Sequence, residues 1–466
     1  MSNHSAIRHS HGRHGGEPDH LVAQGTLLIT ANLVGAFFNA AYHVVMGRLL
    51  PPAEYAALVA MLGLVLVAST PMLALQTTIA HYLSLFQRDG DTRQILPFFR
   101  RWLHGVMGLA AVIAGLGFVF RTPIAAFWEG VGPTLAAATI ATLALSLLMN
   151  VYYGFFQGIQ AFGWLAWSPQ AWGFTRLVGA TFFAYTLART ALPAIVAQAM
   201  GVCAVLLLGM LAVSTHHFPP LGPHHRKPAT GAAPYLLQAF LALGAFALMM
   251  NIDANLSAHY FGTDASALFA KAATIARTAI FLPMPLALAL FPKVASTGAL
   301  PPHAGRLLGR ALLYAALLIA LVACICWLLP GLPWIILYGP LADLADAGAP
   351  DALSLLRHMT FSSLSPADAV TAIALLHAMT LALVPLALAY LLLNFETAQR
   401  HFAAPLMLVP CAGLYLWLVH RHAAALGPMA IPRALFLASS LSLLLLLAST
   451  LRRFLRRPAP PAASPP

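Results

Sequence analysis

The sequence predicts an all-α polytopic membrane protein with about twelve transmembrane helices. Strongly apolar stretches near 20 residues long, separated by short loops, fill almost the whole chain. A bilayer core about 30 Å thick needs roughly 20 apolar residues per helix, and backbone groups in hydrocarbon must pair within their own segment. Composition agrees, because 60% of the 466 residues are hydrophobic and 8% are charged, against about 25% charged in soluble domains.

The predicted spans follow one another closely along the chain. They are residues 25–47, 56–84, 99–120, 132–156, 163–187, 191–214, 235–258, 265–290, 308–329, 368–393, 402–420 and 431–450. Loops on the side of the two termini carry most of the Lys and Arg residues. Because such residues are enriched in cytoplasmic loops, both termini are expected to face the cytoplasm.

Two halves of six spans each are predicted, joined by a Pro-rich basic linker. The sequence from Asn32 is weakly similar to that from Leu241, and both segments run from inside to outside, which predicts parallel repeats about an axis normal to the membrane. The predicted domains are a disordered His-rich cytoplasmic tail at 1–24, an N-terminal lobe at 25–217, a cytoplasmic linker at 218–234, a C-terminal lobe at 235–450 and a basic, Pro-rich cytoplasmic tail at 451–466. The histidines of the first tail leave divalent-metal binding open as an alternative.

Composition and loop lengths exclude several classes of function. The net charge of +12 fits cytoplasmic anchors, and no basic run is interleaved with aromatic residues as a nucleic-acid groove requires. No G-x-x-x-x-G-K-[ST] phosphate loop occurs, so neither ATP-driven transport nor a bound cofactor is expected. The largest external loop, about 330–367, is too short for a catalytic domain. A transporter is therefore favoured over an enzyme.

Three cations lie well inside predicted spans: Arg176, Lys271 and Arg277. A charge at the bilayer centre costs several kcal/mol, so each of them needs a structural or functional reason. Counting about 1.5 Å per helical residue places Lys271 and Asp253 at similar depth, near the outer ends of neighbouring spans. At that depth the two side chains could form an ion pair.

Two interpretations of these groups remain open. In the structural one, Asp253 pairs with Lys271 while Arg176 and Arg277 satisfy backbone carbonyls. In the functional one, the three cations line a water-filled cavity and attract an anionic head group, because a guanidinium fork matches the oxygens of a pyrophosphate. Asp253 then sets the charge of Lys271 or carries a coupling proton. The amide side chains that extend the cavity wall in this interpretation, or otherwise form interhelical hydrogen bonds, are Asn39, Gln76 and Asn251.

Three segments resemble those of a known family. Residues 47–84 resemble the opening of polysaccharide and O-antigen flippases, in which an arginine-bearing turn links the first two helices. Residues 249–296 resemble the start of their second half, and 161–180 is similar to their fifth helix. These flippases belong to the multidrug/oligosaccharidyl-lipid/polysaccharide exporter superfamily.

The resemblance implies two six-helix lobes around a central cavity, alternating access between the membrane faces, and a lipid-linked oligosaccharide on a polyprenyl diphosphate carrier as cargo. Arg48, Asp253 and Arg277 match charges of the family. Lys271 departs from the family pattern, which usually has a small or aromatic residue at this place.

These observations predict a bacterial inner-membrane flippase or exporter of a lipid-linked polysaccharide unit, working by rocking of its two lobes. Expected partners are the lipid-linked oligosaccharide and membrane lipid, with glycosyltransferases or a polymerase of the pathway as further candidates. The predicted substrate-binding residues are Arg48, Asn39, Gln76, Arg176, Asn251, Lys271 and Arg277, and the predicted ion-coupling residue is Asp253.

Three alternatives stay open. The first is a drug/cation antiporter of the same superfamily, although its cavity should be acidic and only Asp253 lies clearly inside a predicted span. The second is a membrane glycosyltransferase or polymer ligase that uses Asp343, Asp346 or Asp351 of the external loop. The third is a non-transporting membrane subunit of an exopolysaccharide synthase complex.

Overall fold

The fold is helical throughout the described chain. The computed structural model describes residues 17–215, 232–281, 302–338, 366–398, 401 and 403–455. Within these ranges the elements are α-helices and short 3₁₀ turns, and no strand occurs. The prediction of an all-α protein is confirmed.

Eight helices form the first part of the chain. They are α1 (Glu17–Leu49), α2 (Pro52–Ser69), α3 (Leu73–Arg88), α4 (Ile95–Val119), α5 (Arg121–Ala125), α6 (Pro133–Gly158), α7 (Phe162–Thr186) and α8 (Ala191–Thr215). The predicted span 56–84 is therefore split between α2 and α3, which a 3₁₀ turn at Thr70–Met72 separates. Pro71 in that turn has no backbone N–H to continue the helix.

Nine further helices are described after residue 231. They are α9 (Ala232–Asn251), α10 (Asp253–Tyr260), α11 (Thr263–Ala276), α12 (Thr278–Phe281), α13 (Pro302–Leu328), α14 (Gly331–Tyr338), α15 (Pro366–Ala398), α16 (Leu408–Leu426) and α17 (Ala430–Leu455). The predicted span 235–258 is broken at Ile252, where the axes of Leu236–Asn251 and Asp253–Tyr260 meet at 53°.

Some predicted boundaries are wrong. Residues 17–24, expected in a disordered tail, form the first turns of α1, whose Glu17 and Pro18 are typical of a helix start. Residues 331–338, expected in an external loop, form α14. Residues 1–16 and most of the predicted linker lie outside the described residues, as do Asp343, Asp346 and Asp351.

The length and apolarity of the helices fit a membrane. In the described ranges, seven helical segments are long and apolar enough to cross a bilayer, or eight if the bent α9–α10 pair counts as one span. One of the seven, Pro405–Phe454, covers the two predicted spans 402–420 and 431–450. Helices α1 and α7 lie at the predicted spans 25–47 and 163–187 but are not among these segments. The chain is a polytopic all-α membrane protein.

Helices pack mainly with others of their own half. In the first half α7 packs against α1 and α8, and α6 packs against α3, α4 and α8. In the second half α15 packs against α11, α13 and α17, and α16 packs against α17. Contacts between the halves run along α2, which packs against α9, α10 and α11, and continue where α1 meets α14. These cross-contacts bring several predicted site residues together.

Candidate functional site

Arg176 is buried between three helices of the first half. It is 3% exposed on α7, where it donates a hydrogen bond to Asn39 Oδ1 of α1 and another, 3.3 Å long, to Gln198 Oε1 of α8. Its guanidinium carbon lies 4.1 Å from the ring centre of Trp172 and 4.5 Å from that of Tyr42, within cation–π range. All these partners belong to α1, α7 and α8, so Arg176 faces the interior of its own half.

Asp253 forms a buried ion pair with Arg277. Asp253 is fully buried and Arg277 is 8% exposed. Arg277 Nη2 contacts Asp253 Oδ1. The same oxygen accepts a 2.8 Å hydrogen bond from the backbone N–H of Ala254, the second residue of α10. Asp253 therefore lies in the first turn of α10, where the helix dipole favours a negative charge.

Asp253 pairs with Arg277 and not with Lys271, the partner that one of the two open interpretations gave it. The prediction treated both spans as straight, whereas the 53° bend at Ile252 redirects the segment that carries Asp253. Lys271 and Arg277 are six residues apart, so at about 100° per residue they point about 120° apart around the helix axis. Arg277 faces Asp253 on α10, and Lys271 faces Tyr338 on α14.

Several oxygen and nitrogen atoms near the α9–α10 break have no hydrogen-bond partner in the described chain. Asn251 donates from Nδ2 to the carbonyl of Ala247 at 3.0 Å, but its Oδ1 is unpaired. Asp253 Oδ2 and both side-chain polar atoms of Asn255 are likewise unpaired although the two residues are buried. Buried polar groups usually have partners, so the break is unusual in leaving these atoms free to form further hydrogen bonds.

Arg48 holds the last turn of α14. Its Nη2 donates to the carbonyl oxygens of Ile335 at 3.1 Å and Ile336 at 2.7 Å. Carbonyls at a helix C-terminus lack partners within the helix and carry partial negative charge, so a guanidinium is favoured there. Arg48 was predicted to contact cargo. In this arrangement it joins the two halves.

Tyr55 lies at the centre of the contact between the halves. Its hydroxyl is 3.1 Å from the hydroxyl of Tyr338 and 3.2 Å from His43 Nδ1, and it lies 3.5 Å from Thr274 Oγ1. Tyr55 is fully buried and Tyr338 is 7% exposed. We call the set Gly47, Arg48, Tyr55, Thr274 and Tyr338 the seam.

Lys271 borders the seam. Its Nζ lies 5.4 Å from the ring centre of Tyr338, and its backbone carbonyl accepts a 3.4 Å hydrogen bond from the hydroxyl of that tyrosine. Lys271 is half-buried, and no carboxylate in the described ranges forms a salt bridge with it. Its ammonium group is thus a positive charge beside the seam.

The remaining predicted amides have neighbours within the protein. Gln76 Nε2 donates to Gln157 Oε1 at 3.1 Å, which joins α3 to α6. Asn39 accepts from Arg176. Gln76 and Asn39 thus form interhelical hydrogen bonds, the second of the two roles considered for the amide side chains.

A second buried ion pair was not predicted. Glu396 near the end of α15 is fully buried, contacts Arg453 of α17 and accepts a 2.6 Å hydrogen bond from Thr450 Oγ1. The sequence pattern places both charged residues just outside predicted spans. Because α15 and α17 each continue beyond those spans, the two charges meet inside the helix bundle.

Not every charged residue in the interior has a partner of opposite charge. In the part of the chain that the structure describes, the buried charged residues are Arg176, Asp253, Arg277 and Glu396. Both carboxylates are matched by an arginine, whereas Arg176 contacts only amides and aromatic rings, and Lys271 has no carboxylate partner there. No group of three or more His, Cys, Asp or Glu that could hold a metal occurs in the same described ranges. Among half-buried residues, Lys271 and Glu54 each lack a salt bridge in the described ranges, and Glu54 accepts from the backbone N–H of Ala191 instead. The buried residues alone therefore carry an unmatched positive charge, at Arg176.

Comparisons with known proteins establish the fold. No family model and no curated protein matches the sequence. An inward-facing multidrug-resistance MATE transporter of the MOP superfamily has a TM-score of 0.68 at 12% identity, over 92% of this chain and 98% of that one. A MOP superfamily transporter from Pyrococcus furiosus has a TM-score of 0.65 at 14% identity, over 93% and 96% of the two chains. Lipid II flippase MurJ in an inward closed conformation has a TM-score of 0.63 at 15% identity, over 93% and 89%. The chain has the fold of MOP superfamily transporters.

Proposed function

We propose that this protein is a flippase or exporter that moves a lipid-linked oligosaccharide or polysaccharide unit, carried on a polyprenyl diphosphate, across a bacterial inner membrane. The observation that carries the proposal is the charge balance of the interior. Both buried carboxylates of the described chain are already neutralised by arginines, while the half-buried Lys271 beside the seam has no carboxylate partner there. Such an interior attracts an anion and repels a cation.

The diphosphate head is the cargo group that best fits these cations. Lys271 lies against Tyr338 of the seam, and Arg48 binds the helix that ends at the same tyrosine. When the seam opens, Arg48 loses its two helix carbonyls and its guanidinium becomes free to bind phosphate oxygens in a bidentate manner. Asn251 supplies a free amide oxygen nearby. The lipid tail stays in the bilayer, while the two lobes rock around the cavity.

Asp253 is the proposed ion-coupling residue. One of its oxygens is held by Arg277 and the other is free. A proton or a cation at the free oxygen would compete with Arg277 for the carboxylate and release the guanidinium toward cargo. Ion binding at Asp253 is then coupled to cargo binding, because the guanidinium of Arg277 cannot fully neutralise both Asp253 and the diphosphate at the same time.

The structural neighbours support both this reading and one rival. MurJ is described as a lipid II flippase, which is transport of a lipid-linked substrate. MATE proteins of similar fold are described as multidrug-resistance transporters. The Pyrococcus transporter is described as having a binding pocket of reverse polarity that suggests a different function, so pocket charge varies within this fold. The neutralised Asp253 and the unmatched charge of Lys271 favour anionic cargo over a drug or cation.

Transport of a fluorescent polyprenyl diphosphate into the inner leaflet of vesicles tests this function. Wild-type protein should speed its movement over empty vesicles. Lys271→Gln should slow that movement about tenfold or more, because a hydrogen bond to a charged group contributes about 1.5–3 kcal/mol, whereas Lys271→Arg should keep most of the rate. Arg433→Gln, which removes an exposed cation of α17, is the matched control.

Two outcomes would contradict the proposal. Wild-type vesicles that move the lipid no faster than empty ones would exclude the flippase function under these conditions. Equal rates for Lys271→Gln and Arg433→Gln would remove Lys271 from the cargo site. Co-purification with a glycosyltransferase would instead link the chain to a synthase complex.

A further inference from the structure

We propose that Arg176 binds a small monovalent anion, of the size of chloride, in a closed site between α1, α7 and α8. The inference concerns a site inside the first half and does not depend on the identity of the cargo. It gives Arg176 a ligand other than the predicted diphosphate. Its observations are the unmatched charge of Arg176 and a set of unpaired donors around it.

The first observation is the uncompensated charge. An arginine side chain stays protonated in proteins, so Arg176 remains a cation at 3% exposure. Both carboxylates buried in the described ranges are engaged elsewhere, by Arg277 and Arg453. Ring faces and amide oxygens stabilise the guanidinium but do not neutralise it. A buried charge without an ionic partner is unfavourable unless a counter-ion joins it.

The second observation is an excess of donors over acceptors. The two amide oxygens beside the guanidinium, Asn39 Oδ1 and Gln198 Oε1, each already accept one of its hydrogen bonds. Arg176 Nε, Trp172 Nε1 and the hydroxyl of Tyr42 are buried atoms without any partner in the described chain. All three carry a hydrogen that can be donated. The ligand that suits a positive charge with free donors is an acceptor with negative charge.

The third observation limits the size of the ligand. A methyl group added to Gly201 of α8 would lie 2.8 Å from the backbone oxygen of Trp172, 2.9 Å from its Cδ1 and 3.5 Å from Cβ of Arg176. Only glycine lets α8 approach α7 this closely. This contact closes the side of the site at the Arg176 Cβ, and the side chain as a whole is 3% exposed, which favours a small anion over a diphosphate carrying a lipid.

Thermal unfolding of the purified full-length protein tests the site. At constant ionic strength, replacing gluconate by chloride should raise the Tm of the wild type in a saturable manner, on the order of 2 °C at ten times Kd. Equilibrium dialysis with radioactive chloride should give about one site per chain. Arg176→Gln should abolish both effects, and Lys271→Gln should keep them.

Because Arg176→Gln could lose chloride binding simply by misfolding, Tyr42→Phe provides a second and milder test. It removes a hydroxyl that has no partner in the protein and keeps the ring that stacks on Arg176. If an anion accepts from that hydroxyl, chloride affinity falls about tenfold. If the site is dry and closed, the variant is as stable as the wild type or more so, whichever anion is present.

The outcomes separate this site from the proposed function. No chloride effect on the wild type, or an equal effect on Arg176→Gln, would overturn the anion site. Stabilisation by a polyprenyl diphosphate through Arg176, with none by chloride, would also overturn it and assign the residue to cargo. Chloride binding with no lipid transport would leave the anion site standing and remove the proposed function.

Discussion

Replacing Arg277 with alanine is expected to lower the free energy of unfolding by about 3–5 kcal/mol, because it leaves the carboxylate of Asp253 buried without a counter-charge. Asp253 is fully buried, and its second oxygen already has no partner. Denaturant unfolding of the purified protein in detergent measures the loss. Asp253→Ala should cost a similar amount, since it strands the guanidinium of Arg277.

A double-mutant cycle separates this pair from its neighbours. Asp253→Ala combined with Arg277→Ala should be much less destabilising than the sum of the single changes, because neither charge is then left alone. Lys271→Ala is the matched control, since it removes a cation of the same helix region that has no carboxylate partner in the described chain. A loss for Lys271→Ala as large as that for Arg277→Ala, with coupling to Asp253, would instead indicate an ion pair between Asp253 and Lys271.

Replacing Gly47 with leucine is expected to open the seam. A Cβ at this position would lie 2.6 Å from Cδ1 of Tyr338 and closer still to Cε1, so the Tyr338 ring must move or α1 and α14 must separate, and the bulk of leucine favours separation. Overpacking costs about 1–3 kcal/mol, which shifts the equilibrium between closed and open arrangements roughly 5- to 150-fold toward open.

The opening can be read from the reactivity of one thiol. Thr274→Cys, in a background without the four native cysteines, places a thiol beside Tyr55 where the side chain is buried. Its reaction with a water-soluble maleimide should be about tenfold faster or more with Gly47→Leu. Gly413→Leu is the control, because an added Cβ there meets no atom within 4 Å. Equal labelling rates in both glycine variants would show that the seam does not depend on this contact.

The apolar pattern was sufficient to predict helices but not their breaks. The long stretches of hydrophobic residues fix membrane helices because no other element satisfies the backbone in hydrocarbon. The bend at Ile252 has no proline or glycine to signal it, since Asn251 and Asp253 flank the break. A straight helix therefore placed Asp253 opposite the wrong cation.

Parts of the site could not be predicted because they are made by neutral residues. Tyr42 and Gln198 sit in apolar spans and become recognisable only when α1 and α8 meet α7 around Arg176. Arg48 was identified through a family resemblance. Its acceptors belong to α14, a short helix inside a Pro-rich segment expected to be a loop.

Binding of an anionic lipid and an organic cation, compared on the same purified protein, tests the claim that the interior accepts anions. We expect a short-chain polyprenyl diphosphate to bind at least about tenfold more tightly than a lipophilic phosphonium cation. The unmatched ammonium group of Lys271 attracts the diphosphate and repels the phosphonium, and one such charge accounts for a difference of about this size. Lys271→Gln should remove most of the difference. Tighter binding of the phosphonium, unaffected by Lys271→Gln, would contradict the account and favour a cation exporter.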